Sequence, residues 1–192
     1  MLKTLTLTAA VALGTGTAAF AQNDSMMMEN PTVGGAEMMA DQPIAVNAGN
    51  APNLTTLVAA VGAAGLGETL MGEGPFTVFA PTNDAFAAIS EDSLNTLLMP
   101  ENQAQLEQIL LCHVVGASVM SDAIAGMIAD DNGNHPVETV GGCTLQAQMN
   151  GDMITLTDEN GRVATVTTAD VRQSNGVVHV IDTVLLPAGQ AG

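Results

Sequence analysis

The chain has 192 residues, of which three are Lys or Arg and 20 are Asp or Glu, for a formal net charge of −17. Binding to a phosphate backbone relies on Lys and Arg to release counterions, so this balance excludes nucleic acids and anionic membranes as partners. With no Trp, no Tyr and four Phe, the core has to be assembled from Val, Leu, Ile, Ala and Met.

In chain order, residues 1–21 read as a secretory signal peptide. Lys3 gives the basic start, Leu5 to Leu13 the apolar stretch, and Ala19-Phe20-Ala21 the small-x-small cleavage pattern, so the mature chain is expected to begin at Gln22. The apolar stretch is too short and too interrupted by Thr and Gly to cross a bilayer. No other segment approaches ~20 continuous apolar residues, so no transmembrane segment is predicted in the mature chain. An exported protein follows, periplasmic, at the cell surface or extracellular. It carries two arginines against 20 carboxylates, or −18, a solvated acidic surface that favours cations or basic partners.

Residues 22–35 read as a flexible leader with Asn, Asp, Ser, Pro and Gly and little periodicity. Met26-Met27-Met28 and Met38-Met39 stand out there and just beyond. Soft thioethers select Cu(I), but no His or Cys accompanies them, and they are read as linker or surface-packing residues. No metal site and no cofactor is predicted. One domain is expected over 36–188, with a tail at 189–192.

From Asn53, a cap candidate, Leu54, Leu57, Val58 and Val61 share a helical face, stopped by Gly65 and Gly67. Leu66, Leu70 and Met71 suggest a further helical turn. Phe76 to Phe79 reads as a buried strand between Gly74-Pro75 and Pro81. Thr82, Asn83 and Asp84 are cap candidates for a short helix carrying Phe86 and Ile89. Two more helices are predicted over 93–99 and 100–111, the second with Pro100 at its first position, before Cys112-His113-Val114-Val115 turns to a strand. Residues 144–149, 153–157 and 163–167 alternate, with Asn150-Gly151 and Asn160-Gly161 as turns, which is a meander. Val177 to Leu186 reads as a core strand. Helices first and strands later give an α+β class.

Two stretches resemble the signature blocks of the fasciclin domain. They are Gly74-Pro75-Phe76-Thr77-Val78-Phe79-Ala80-Pro81-Thr82-Asn83-Asp84-Ala85-Phe86 and Asn175-Gly176-Val177-Val178-His179-Val180-Ile181-Asp182-Thr183-Val184-Leu185-Leu186-Pro187. Between them Cys112-His113-Val114-Val115 sits where the family carries a Tyr-His pair, and Leu54 to Val61 resembles its leading helix. The resemblance implies a twisted β-sandwich or wedge with several short helices packed around it, and a role in adhesion. Thr77, Phe79, Pro81, Thr82, Asn175, Gly176, His179 and Asp182 are its structural positions. In animal relatives the Tyr-His region and an Asp-Ile pair are implicated in integrin binding. The matching residues here, Cys112, His113, Val114, Asp170 and Val171, are the candidate partner contacts, with Cys for Tyr and Val for Ile.

The remaining polar residues are assigned structural roles. His113 and His179 lie in apolar strands and are read as hydrogen-bonded core residues. Ser174, His179 and Asp182 make no triad, since residues three apart on a strand face opposite ways and no Gly-x-Ser-x-Gly elbow is present. Asp130 to His135 puts His where a calcium loop needs Gly, so it is read as a polar turn. Asn53-Leu54-Thr55 fits a glycosylation sequon and is read as a helix cap. Gly176 is expected to adopt a backbone conformation that side chains disfavour. An exported chain allows a Cys112–Cys143 disulfide, closing about 31 residues and contributing roughly 3–4 kcal/mol. Two buried thiols are the alternative. The expected function is a monomeric, non-enzymatic adhesion or binding module for a cell-surface protein, polysaccharide or lipid. The alternative is an exported hydrolase or accessory protein acting on an extracellular polymer.

Overall fold

Two strands separated by almost a hundred residues define the centre of the molecule. The computed structural model describes residues 30–190. The expected signal peptide, Met26–Met28 and the last two residues of the tail lie outside the described residues. The elements in chain order are β1 (Thr32–Val33), β2 (Ala36–Glu37), α1 (Ile44–Asn50), α2 (Thr55–Ala64), α3 (Gly67–Met71), β3 (Phe76–Pro81), α4 (Asn83–Ala87) and α5 (Glu91–Leu97). A 3-10 turn at Pro100–Asn102 leads into α6 (Gln103–Leu111), β4 (Val114–Val115) and α7 (Ser121–Asp130). The chain ends in β5 (His135–Glu138), β6 (Thr144–Asn150), β7 (Met153–Thr157), β8 (Val163–Gln173) and β9 (Gly176–Ile181).

The class is α+β. Seven strands run in the order β4-β3-β9-β8-β7-β6-β5. β3 and β9 pair in parallel, Phe76 opposite Gly176 through Pro81 opposite Ile181, and every other neighbouring pair in this sheet is antiparallel. The period of two along a strand sends alternate residues of β3 and β9 to opposite faces. Val78, Ala80, Val178 and Val180 enter a core with the helices α1 to α6. Phe79 and Ile181 enter a second core with Ile124 and Ile128 of α7 and with Leu145, Ala147, Leu156 and Ala164. Both faces are covered, so these strands read as near-continuous apolar runs. Register shifts in β8 between Val166 and Thr168 and between Thr168 and Val171 bend that strand. Its first half pairs with β7 and its second with β9, which closes the wedge over the second core.

At Gly74 and Gly176 the backbones come within contact. A Cβ on Gly176 would lie 2.0 Å from the Phe76 carbonyl oxygen, and one on Gly74 would lie 1.9 Å from the Asn175 carbonyl oxygen. This corrects the expectation for Gly176, whose φ is not positive. The position is closed to side chains by its neighbour and not by its own torsion.

The ends of α1, α2 and α3 are served by side chains distant in sequence. Asn175 accepts from Ile44 N at 3.0 Å at the start of α1, and its Nδ2 donates to Leu70 O at 2.7 Å and Gly72 O at 3.0 Å at the end of α3. The start of α2 is served by Asn83, whose Oδ1 accepts from Thr56 N at 3.0 Å while its Nδ2 donates to Pro52 O. The expected cap at Asn53 is therefore corrected, since its Oδ1 has no hydrogen-bond partner. Thr82 caps α4 through Ala85 N. The packed chain also begins before residue 36, because Val33 is buried in the β1–β2 hairpin. Helices α1 and α7 carry no expectation above.

Cys112 and Cys143 are joined in a disulfide, with their Cα atoms 5.4 Å apart and both residues buried. It ties the end of α6 to the start of β6. Loss of this link removes the constraint on the unfolded chain. The double variant Cys112→Ala/Cys143→Ala is expected to lose about 3 kcal/mol in urea denaturation, and unreduced protein should take up no iodoacetamide. Asn175→Ala removes partners at two helix ends, and its unfolding midpoint should fall by an amount worth about 2–3 kcal/mol with an unchanged slope.

Candidate functional site

His179 sits at the middle of β9 with its ring stacked on Phe79, centroids 5.7 Å apart. Its Nδ1 accepts from Asp170 N at 3.2 Å. Nε2 therefore carries the proton and donates to Val119 O at 2.9 Å. The tautomer follows from the Asp170 amide, which can only donate. Asp170 has φ 59°, the left-handed region that Asp tolerates better than most residues. This turns its carboxylate onto the start of α7, where it accepts from Ser121 N at 2.7 Å and from the Ser121 hydroxyl. Thr77 completes the junction. Its hydroxyl donates to Ala117 O at 2.6 Å and accepts from Val119 N at 2.8 Å. Ser, His and Asp thus meet, but not as a nucleophile and base. The serine hydroxyl faces the carboxylate, and both imidazole nitrogens are held by backbone.

His113 plays the matching part under the C-terminal segment. Leu185 N donates to its Nε2 at 3.0 Å, so Nδ1 carries the proton to Ile109 O at 2.8 Å. Asp158, also buried, accepts from Asn160 N and Arg162 N with Oδ1 and from Leu186 N with Oδ2, each at 2.9 Å. Asn160 Nδ2 donates to Leu186 O and Pro187 O. The residues after β9 are strapped down by His113, Asp158 and Asn160, and by Glu159, whose Oε2 accepts from Ala188 N at 2.9 Å. Burial pushes the His113 pKa down to about 4, against smaller raising effects of the Ile109 carbonyl and the Asp158 charge. Burial lowers His179 as well, opposed by the Val119 carbonyl and Asp170.

The partner contacts expected from the resemblance are corrected by this geometry. Cys112, His113, Val114 and Val171 are buried, and Cys112 and Val171 are 0% exposed. Their side chains fill the core because Cys112 caps α6 and Val171 faces the helical side of β8. Only Asp170 is partly exposed, and its carboxylate serves α7. Asp182 does not approach His179; its Oδ1 accepts from Thr165 N at 2.7 Å. Ser174 bonds Gln42 through its amide. Pro81 ends β3 opposite Ile181. The Asp130–His135 turn holds Asn132 and Gly133 at positive φ and pairs Asp131 with His135 at 2.5 Å. No group of three or more metal-binding side chains occurs among the described residues.

What the strands do present is an uncharged sheet face. The residues of β6, β7 and β8 that point away from the second core include Gln146, Gln148, Met153, Thr157, Val163 and Thr165. Register places Gln146 beside Thr157 and Thr157 beside Val163, and Gln148 beside Thr155 and Thr155 beside Thr165. Met153 and Val163 are 50% and 54% exposed. Asn134 holds both glutamines, donating to Gln146 Oε1 at 2.7 Å and accepting from Gln148 Nε2 at 3.1 Å. Carboxylates border this face and do not enter it, Glu138 opposite Thr144 on one side and Asp182 at Thr165 on the other. The alternation that marks these strands in the sequence also marks this face, but nothing in it singles out a contact surface.

Comparison with known proteins gives the family. The fasciclin domain model matches residues 52–187. The chain belongs to the fasciclin domain family. Its fasciclin relatives include Protein sll1483 of Synechocystis sp., 40% identical over 181 residues, 92% of this chain and 90% of that protein. Immunogenic protein MPB70 of Mycobacterium bovis is 32% identical over 164 residues, 82% and 76% of the two chains. Transforming growth factor-beta-induced protein ig-h3 of Sus scrofa is 36% identical over 132 residues, covering 69% of this chain and 17% of that longer protein. The fasciclin domain pair from the insect cell adhesion molecule fasciclin I superposes with a TM-score of 0.52 at 29% identity, over 68% of this chain and 42% of that one. That domain pair belongs to a cell adhesion molecule. No helix among the described residues is long and apolar enough to cross a membrane.

Acid should loosen the C-terminal strap. Between pH 6.5 and about 4 the unfolded His113 binds a proton that the folded one refuses, so its contribution is complete above 6.5 and lost as pH falls. The shift corresponds to about 3 kcal/mol. Urea denaturation at pH 7.5 and pH 4 should show that loss in the wild type. The His113→Leu variant, weaker at pH 7.5, should show a loss smaller by about that amount.

Proposed function

We propose that this fasciclin domain is an exported adhesion module whose contact surface is the uncharged face of β6, β7 and β8. The family supports adhesion at a coarse level; the sheet face supports the location. In a chain of net charge −17, a patch of Thr, Gln, Met and Val bordered by carboxylates stands apart from its surroundings. Its glutamines are held in place before any partner arrives, which lowers the entropy cost of contact. Hydroxyls and amides recognise a neutral, hydrogen-bonding partner surface. The acidic surroundings repel anionic ones. The chain acts by binding, as a monomer. His113 and His179 serve the fold, each with both ring nitrogens engaged by backbone.

Cells lacking the protein should attach to surfaces and to one another less well, and added wild-type protein should restore attachment. Met153→Glu/Thr165→Glu places two charges on the face and should reduce restoration about tenfold, the equivalent of 1.4 kcal/mol, with an unchanged melting temperature. Attachment that is indifferent to deletion of the protein would end the adhesion reading. Full restoration by the folded variant would move the contact surface elsewhere.

A further inference from the structure

We infer that the helical core carries a binding site for the alkyl chain of a neutral amphiphile. A cavity of about 230 Å³ lies between α1, α2 and α3 on one side and β3, β9 and the end of α6 on the other. Leu57, Val58, Val61, Leu66, Phe76 and Val178 form much of its wall. An apolar cavity of ~150 Å³ already stays dry and takes up benzene, so this space holds a ligand larger than one ring. Native cores are otherwise packed to crystal density, which makes an opening of this size unlike a packing defect.

The lining sets the ligand chemistry. In a chain with 20 carboxylates, no Asp, Glu, Lys or Arg contributes to the wall. The polar side chains deep in it are already engaged. Asn47 bonds the Met39 backbone and Gln173, and His113 bonds Ile109 O and Leu185 N. A ligand finds no buried partner for a polar group, so the part that enters is hydrocarbon. Gly62, Thr69 and Val140 are the exposed members of the wall and mark the mouth. The hydroxyl of Thr69 is available there to a headgroup, while the exposed Glu68 beside it disfavours a carboxylate or phosphate. A long-chain alcohol or ester fits these constraints and a fatty acid anion does not. The site is independent of the sheet face proposed for adhesion, and it is read out without any attachment assay.

The test uses the neutral probe N-phenyl-1-naphthylamine with the full chain at pH 7.5. Saturable, one-to-one fluorescence enhancement is expected, reversed by 1-alkanols. Each added CH2 should tighten displacement about fourfold until the cavity is full, and then affinity should level off. Decanoate should compete at least tenfold less well than 1-decanol, and 1-decanol should raise the melting temperature. Ala48→Leu and Val61→Phe, two half-buried wall positions on different helices, should each reduce probe binding at least tenfold. Absence of saturable binding by the wild type overturns the site. So does undiminished binding by whichever filled variant folds. Should neither fold, the chain-length series and the thermal shift on the wild type decide by themselves, and failure of both overturns it. Decanoate binding as tightly as decanol overturns the neutral headgroup.

Discussion

The parallel contact between β3 and β9 is the constraint on which everything else in the molecule rests. It brings together two stretches about a hundred residues apart in sequence and closes them so tightly that Gly74 and Gly176 have no room for a side chain. Because successive residues face opposite ways, one strand pair feeds two cores. The helices collect on one side, and α7 with the folded-over meander collects on the other. Joining two such distant segments costs closure entropy early in folding. The apolar surface buried on both faces of the pair repays it.

Around that pair, polar side chains bind the periphery to the centre. Asn175, one residue before β9, holds the ends of α1 and α3; Asn83, two residues after β3, holds α2; Asp170, on the neighbouring β8, holds α7. Helices of five to ten residues are marginal in water, and here their exposed ends are completed only when the strands have paired. His113 and His179 act in the same way on loops, each fixing one segment through an accepted and a donated hydrogen bond. This gives a physical reason for the polar residues of the two fasciclin signature blocks. They join elements that sequence order separates.

That distribution also explains which parts were legible in the sequence. The strands β3, β6, β7, β8 and β9 announce themselves through apolar runs, alternation and Asn-Gly turns, because those signals are local. Helix α2 shows its apolar stripe, and Asn53 stands where a local cap is expected, but the bonding group comes from Asn83, about thirty residues away. Helices α1 and α7 begin after Pro43 and Met120, with no cap of their own. Their caps lie on β8 and before β9, and no local rule reaches that far. Local sequence suggests a special torsion at Gly176, whereas the constraint is the close approach of another strand, which leaves no trace in the residues beside it. The partner contacts suffered similarly. Cys112, His113, Val114 and Val171 stand out in a motif comparison, and the fold consumes them in the core. The uncharged face of the meander is spread over three strands and becomes visible only once the register is known.

The molecule therefore divides its labour. Its distinctive residues maintain a two-sided core, and the face proposed for contact is assembled from unremarkable Thr, Gln and aliphatic residues. Substitution of Gly176 by Ala tests the central pairing most directly, with Gly62→Ala on the open surface of α2 as the control, where a Cβ meets nothing within 4 Å. Equilibrium unfolding of both variants in urea should show Gly62→Ala unchanged or stabilised by up to about 1 kcal/mol. Gly176→Ala should lose at least about 3 kcal/mol or fail to fold. A Gly176→Ala protein as stable as the wild type would mean that the two strands do not meet this closely, and the account of the fold built on their contact would be wrong.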